Sequence, residues 1–163
     1  MAAVPQPRAV VWRPLFVEDL AYVAALEAQI HAAPWTLGNF RDALAAGYSS
    51  RAGEREGRIV AYGVLMLAPG EAQLLNLSVV PDSRREGLGR TLLGQFIVDA
   101  QRLGAEQMFL EVRVSNASAI ALYDSEGFVP IARRVAYYPP EPKTGFREDA
   151  LVMRRALGAR VRT

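Results

Sequence analysis

Four short stretches of this chain hold residue types that could do chemistry. The first is Arg84-Arg85-Glu86-Gly87-Leu88-Gly89-Arg90, ahead of an apolar series at helical spacing. A helix N-terminus carries backbone N–H groups without intrahelical partners and the positive end of the dipole, which suits a diphosphate. Gly87 and Gly89 let the backbone approach an anion, and Arg84, Arg85 and Arg90 add charged donors. Taken alone, the same residues also describe a turn with solvated arginines. Neither common nucleotide fingerprint fits: no Gly-Lys-Ser/Thr is present, and Leu92 stands where a dinucleotide motif has its third glycine. The second stretch is Glu111, between Leu110 and Val112; a carboxylate there is either exposed on one strand face or aimed into a cleft. Third, Tyr123 offers a phenol that can donate a proton or simply fill a core. Fourth, Asn116 can cap a helix. Apart from these stretches, His31 reads as a helix-end or substrate-loop residue rather than a base.

Around these residues the pattern alternates strands and helices. A β-branched run at Val10 to Trp12 opens the fold. Leu20, Val23, Ala24, Leu26 and Ile30 recur at helical spacing from Glu18 to about His31, with Pro34 as a stop. Thr36 caps a second helix bearing Leu37, Phe40 and Leu44, with Gly47 past its end. A meander follows: Tyr48 to Ala52, a charged turn from Gly53 to Arg58, Ile59 to Leu67, then Ala72 to Val80. The helix after Gly87 presents Leu88, Leu92, Leu93, Phe96, Ile97, Ala100 and Leu103, and stops at Gly104. Gln107 to Val112 is a strand, Ser115 or Asn116 begins a helix running to Glu126, and Val129 to Tyr137 and Asp149 to Arg154 form a final strand pair. The expectation is an α/β domain over 10–157: a mixed central sheet of six or seven strands flanked by about four helices, with a loose leader at 1–9 and a basic tail at 158–163.

Composition narrows the chemistry. The chain has 163 residues, no cysteine and one histidine, which excludes thiol nucleophiles, disulfides and multi-histidine metal cages; no metal site is expected. Hydrophobic residues are 51% of the chain, yet no apolar run approaches the ~20 residues of a membrane span. With 19 basic and 17 acidic residues the net charge is +2. Scattered arginines at that balance give little reason to expect nucleic acid as a partner.

Independent support for the diphosphate reading comes from Leu110-Glu111-Val112-Arg113-Val114-Ser115-Asn116 and the helix after it. Here the chain resembles the GNAT superfamily of acetyl-CoA-dependent N-acetyltransferases. Their Arg/Gln-x-x-Gly-x-Gly/Ala loop is matched by Arg84, Gly87 and Gly89, and their Asn-x-x-Ala-x-x-Leu-Tyr-x-x-x-Gly-Phe helix by Asn116, Ala119, Leu122, Tyr123, Gly127 and Phe128. Within the superfamily it is similar to the ribosomal-protein alanine N-acetyltransferases (RimI type). The likeness lies in His31 to Trp35, Leu75 to Val79, Leu110 to Asn116, Arg134 with Tyr137-Tyr138-Pro139, and Arg147 to Ala150 followed by Met153. A longer leader, the Arg-Arg-Glu before Gly87 and the extension past Leu157 depart from that pattern.

The resemblance implies a GNAT fold, acetyl-CoA as cosubstrate and a cytoplasmic enzyme acting on a protein N-terminus, that of small-subunit ribosomal protein eighteen. It assigns Glu111 as proton acceptor and Tyr123 as proton donor. It gives the cofactor Leu77, Ser78, Val79, Arg84, Arg85, Glu86, Gly87, Leu88, Gly89, Arg90 and Asn116, with the Val79 N–H polarising the acetyl carbonyl. Trp35, Arg134, Tyr137 and Tyr138 are candidates for the peptide groove. Two other readings stay open at this point: a GNAT enzyme for small amines or other protein N-termini, and a non-catalytic acyl-CoA-binding module.

Overall fold

The computed structural model describes residues 9–140 and 142–158. Apart from Ala9 and Gly158, the expected leader and basic tail lie outside the described residues. One seven-stranded sheet, in the order β1-β2-β3-β4-β5-β7-β6, organises the chain. Its strands are β1 (Val11–Arg13), β2 (Ser49–Arg55), β3 (Arg58–Ala68), β4 (Glu71–Val79), β5 (Gln107–Arg113), β6 (Val129–Arg134) and β7 (Ala150–Ala156). The helices are α1 (Leu20–Ile30), α2 (Leu37–Ala45), α3 (Leu88–Arg102) and α4 (Ala117–Ser125), with single 3-10 turns at Val17–Asp19 and Pro81–Ser83. Every pairing is antiparallel except β4 with β5. The mixed α/β architecture expected from the sequence is therefore present, and among the described residues no helix is long and apolar enough to cross a membrane.

Alternation along β3 separates two cores. Ala61 and Leu65 join α3, α4 and β5 in one buried cluster, whereas Tyr62 and Val64 join α1 and α2 in the other. Gly63 carries no side chain because none would fit: a Cβ would stand 2.6 Å from the Asn76 carbonyl and 2.7 Å from the Phe96 ring. Local chemistry sets the helix starts. Thr36 and Asn39 cap α2 reciprocally, Oγ1 accepting from the Asn39 N–H at 3.1 Å and Asn39 Oδ1 accepting from the Thr36 N–H at 2.9 Å. The Asn116 side chain accepts from the Ala119 N–H at 3.3 Å and starts α4.

Two strand ends differ by three residues from the sequence reading. β2 runs on through Gly53, Glu54 and Arg55, which were expected in a turn, and only Glu56 and Gly57 make the connection. The charges are held at the strand end: Glu54 by Arg13 at 2.7 Å, and Arg55 by Glu86 at 2.8 Å. β6 stops at Arg134 instead of Tyr137, because Ala136 takes a left-handed φ of 50°. Its N–H donates to Asp149 Oδ1 at 2.8 Å, which turns the chain out of the sheet.

The feature that makes a site is a parallel pair that stops early. β4 and β5 pair only from Glu71 with Gln107 to Leu74 with Leu110. At that point Leu75 is an extra residue against β3, since Leu74 faces Leu65 and Asn76 faces Val64. Such a bulge bends its strand. It also changes face: Leu74 packs in the α3 cluster, while Asn76 reaches a carboxylate of α1 on the other side.

Candidate active site

Beyond Leu74 and Leu110 a cleft opens between β4 and β5. Two cavities fill it. The smaller, about 200 Å³, lies between Glu27, His31 and Trp35 on one wall and Glu111, Arg113 and Tyr138 on the other. The larger, about 570 Å³, runs from Leu77, Ser78 and Val79 along Arg84, Arg85, Gly87 and Gly89. They meet at His31, Leu77, Asn116, Ala119 and Tyr123, which line both.

The larger cavity has the parts an elongated anion needs. The Val80 N–H donates to Val60 on β3 at 2.9 Å, so strand alternation turns the Val79 N–H and carbonyl to the opposite, open edge. The Arg84 Nε reaches that carbonyl at 3.3 Å. An extended chain with amide groups can add along this edge as a strand would. At its end, Gly87 takes φ 77° and precedes α3, the first residues of which line the groove and carry amides without intrahelical partners. Space for a Cβ is open at Gly87, so backbone conformation alone calls for glycine there. Arg85 and Arg90 line the same groove, with Arg90 ion-paired to Glu126, while the Leu88 side chain is buried at its floor. Glu86 is turned away: it pairs with Arg55 and does not line the groove. These features suit a diphosphate with an amide-bearing arm.

In the smaller cavity, Glu111 projects from the face of β5 opposite Leu110 and Val112. The Arg134 Nε lies 2.9 Å from its carboxylate, and the Tyr137 hydroxyl donates to it, which holds the Tyr137 phenol above its ordinary range. Tyr138 packs under the Arg113 guanidinium, 4.2 Å from ring centre, and burial helps push its phenol up to about 12. Arg113 also reaches Glu148 at 3.3 Å, so the loop from β6 to β7 is fastened over the cleft. Trp35 forms the far wall, its ring 5.1 Å from Phe40. Tyr123, 7% exposed, stands edge-on to Phe128 at 5.8 Å. Burial, with Tyr138 nearby, raises its phenol far above the ordinary value, so it keeps its proton at any physiological pH. The structure thus gathers Glu111, Tyr123, Asn116, Trp35, Arg134, Tyr137 and Tyr138 around one cleft.

Sequence reasoning missed Glu27. It is 2% exposed and surrounded by donors: the Tyr62 hydroxyl at 2.8 Å, the Asn76 Nδ2 at 3.1 Å from both oxygens, and the Trp35 N–H at 3.0 Å. Burial, with the carboxylate beside it, raises the Tyr62 phenol and keeps it a donor. A signal was present, because Leu20, Val23, Glu27 and Ile30 fall on one helical stripe.

Comparisons with known proteins agree with this geometry. Residues 15–128 match the model of the acetyltransferase (GNAT) family. The [ribosomal protein bS18]-alanine N-acetyltransferase of Escherichia coli (strain K12) is 38% identical over 135 residues, covering 83% of this chain and 89% of that protein. The enzyme of the same name from Salmonella typhimurium is 37% identical over 139 residues, 85% of this chain and 92% of its own. The crystal structure of the ribosomal-protein-S18-alanine N-acetyltransferase from Escherichia coli superposes with a TM-score of 0.84 at 34% identity, over 95% of this chain and 99% of that one.

Proposed function

The chain belongs to the GNAT family of acetyltransferases with acetyl-CoA as acyl donor, and from that premise we propose that it acetylates the α-amine of a protein N-terminus, the N-terminal alanine of ribosomal protein bS18 in the cytoplasm. One observation carries the reading. A groove suited to a diphosphate and an amide-bearing arm opens, at Tyr123 and Asn116, into a small pocket whose opposite walls carry carboxylates. The relatives named for bS18-alanine acetylation support the substrate.

Transfer needs a neutral amine, a polarised thioester carbonyl and a proton for sulfur. A terminal α-amine has a pKa of about 7.7 to 8.0, against about 10.4 for lysine, so the demand on a base is modest. Glu111 accepts the amine proton, directly or through one water. Arg134 and Tyr137 fix the orientation of its carboxylate. The Val79 N–H, on the open edge of β4, polarises the carbonyl. Tyr123, protonated because it is buried, supplies the proton that sulfur takes as the C–S bond breaks. With no cysteine in the chain, transfer is direct, within a complex of both substrates. Trp35 and Tyr138 wall the pocket for the first residues of the peptide, and Tyr137 reaches it only through its hydrogen bond to Glu111. Its volume of about 200 Å³ suits a small first side chain.

Purified protein, acetyl-CoA and short peptides beginning Ala-Arg, set against polyamines and lysine peptides, test the reading in vitro. Acetylation confined to the peptide α-amines is expected; turnover on the polyamines alone defeats it. In cells, an unchanged N-terminal mass of bS18 after removal of this protein defeats the assignment to that substrate.

A further inference from the structure

His31 is the chain's single histidine, and like Tyr123 it lines both cavities where they meet. Glu111 lines only the smaller cavity and already accepts from Arg134 and Tyr137. The ring of His31 sits in a chain of hydrogen bonds that fits one tautomer. Asn76 must turn its Nδ2 toward the acceptor-only carboxylate of Glu27, at 3.1 Å. Its Oδ1 then takes the hydroxyl proton of Ser78 at 2.8 Å. Ser78 Oγ therefore offers lone pairs to His31 Nε2, 2.8 Å away, and Glu27 Oε1, 3.3 Å from the same nitrogen, is an acceptor as well. In that arrangement Nε2 carries the hydrogen, and in the neutral ring Nδ1 is left with the lone pair.

We propose that His31 is a second proton acceptor of the reaction, Nδ1 taking the first proton of the incoming α-ammonium while Glu27 orients the ring and balances the imidazolium that forms. The proposal rests on the α-amine reading given above. In one turnover the ammonium loses two protons and gains one bond to carbon. His31 takes the first proton, which makes the amine a nucleophile; Glu111 takes the second as the C–N bond forms. The C–S bond breaks, Tyr123 protonates sulfur and is reprotonated from one of the two acceptors, and one proton leaves to solvent. Glu27 acts only through His31 and is a positioning residue.

The charged groups around the ring are Glu27 from α1, Arg84 beyond β4 and Arg113 on β5, with Glu111, Tyr123 and Tyr138 lining the same space. Burial lowers the imidazole pKa, Glu27 raises it, and Arg84 and Arg113 lower it; the net direction is down from 6.5. The ring is thus neutral, and able to accept, where the α-amine is still mostly charged.

The magnitude follows from the amine. With a pKa of about 7.7 to 8.0, roughly one α-amine in six to one in eleven is neutral at pH 7. An enzyme without the first acceptor can use only that fraction. His31→Gln should therefore lose up to about six- to elevenfold in kcat/KM at pH 7, and the loss should fade to less than about twofold above pH 9.5, where the amine is already neutral. A purely structural role for His31 gives a loss that does not change with pH, and that result overturns the proposal.

A single imidazole also gives a readout apart from activity. In untagged wild-type protein, ring nitrogen NMR should report a neutral Nε2–H tautomer at pH 7, with a titration midpoint below 6.5. Glu27→Gln, which removes the charge that raises the pKa, should move the midpoint lower still. An Nδ1–H tautomer, or a ring charged at pH 7, overturns the proposal. Wild-type protein that acetylates no α-amine overturns the reading beneath it. Active wild-type protein with a flat loss across pH, or with the other tautomer, overturns this inference alone.

Discussion

Replacing Glu27 by glutamine tests whether a buried carboxylate holds the wall of the cleft. The side chain is 2% exposed. Its Oε1 accepts from the Tyr62 hydroxyl at 2.8 Å and from Asn76 at 3.1 Å; its Oε2 accepts from the Trp35 N–H at 3.0 Å and again from Asn76. Glutamine keeps one oxygen. If that oxygen serves Tyr62, the new NH2 faces the Trp35 N–H, and a buried donor is left without an acceptor at about 1–3 kcal/mol. The hydrogen bonds that remain fall from the charged class to the neutral one, about 1 kcal/mol less each. Relief from desolvating a charge offsets part of this, leaving a loss of about 2–4 kcal/mol. That is a large part of the ~5–15 kcal/mol that holds a domain folded, without being all of it. Urea titration followed by tryptophan fluorescence reads the loss directly. With a slope of about 2 kcal/mol/M, the midpoint should fall by about 1–2 M. Trp35, on the released wall, should also become more accessible to a quencher, and KM for the peptide should rise more than KM for acetyl-CoA. A midpoint shift below about 0.3 M would refute the reasoning, since Glu27 would then hold nothing the neutral amide does not.

Tyr123→Phe keeps the ring against Phe128 and removes only the proton donor, so kcat should fall about 10²–10⁴-fold with binding of CoA by calorimetry unchanged; a fall under threefold contradicts the role given to Tyr123. Gly87→Ala meets no neighbour but forces a side chain into φ 77°, and should cost about 1–2 kcal/mol by thermal denaturation while weakening acetyl-CoA binding. For His31 the folded-state pKa lies below 6.5, so the unfolded chain binds the proton first. Stability from this group is full above pH 6.5 and is lost as pH falls through the folded-state value. The difference in unfolding free energy between wild type and His31→Gln should shift against wild type on acidification, and a difference constant between pH 8 and pH 5 counts against the buried environment.

Much of the cleft could be read from residues whose effect is local. Thr36 and Asn116 act on amides three positions away, and Gly87 acts on its own φ, so the starts of α2, α4 and α3 were visible. The end of β2 was not. Glu54 and Arg55 have the composition of a turn and are strand residues because Arg13 and Glu86, distant in sequence, meet them. The Leu75 bulge leaves no mark either, since the alternation from Ala72 to Ser78 is unbroken while its meaning changes face between Leu74 and Asn76. Glu27 sits on the apolar stripe of α1, and only the assembly of Tyr62, Asn76 and Trp35 around it says why a charge is tolerated there.

The early end of the β4–β5 pairing bears on more than recognition. Past Leu74 and Leu110 the main chain of β4 turns an edge toward the cleft that β5 does not cover. Amides such as that of Val79 should therefore exchange with solvent deuterium faster than their neighbours bonded to β3. Acetyl-CoA laid along that edge would slow the exchange at alternate residues from Leu75 to Val79. At a concentration one hundred times its Kd it would add about 2.7 kcal/mol to the unfolding free energy. The acyl donor would then be part of what keeps the sheet folded, and each round of product release would return β4 to its more open state.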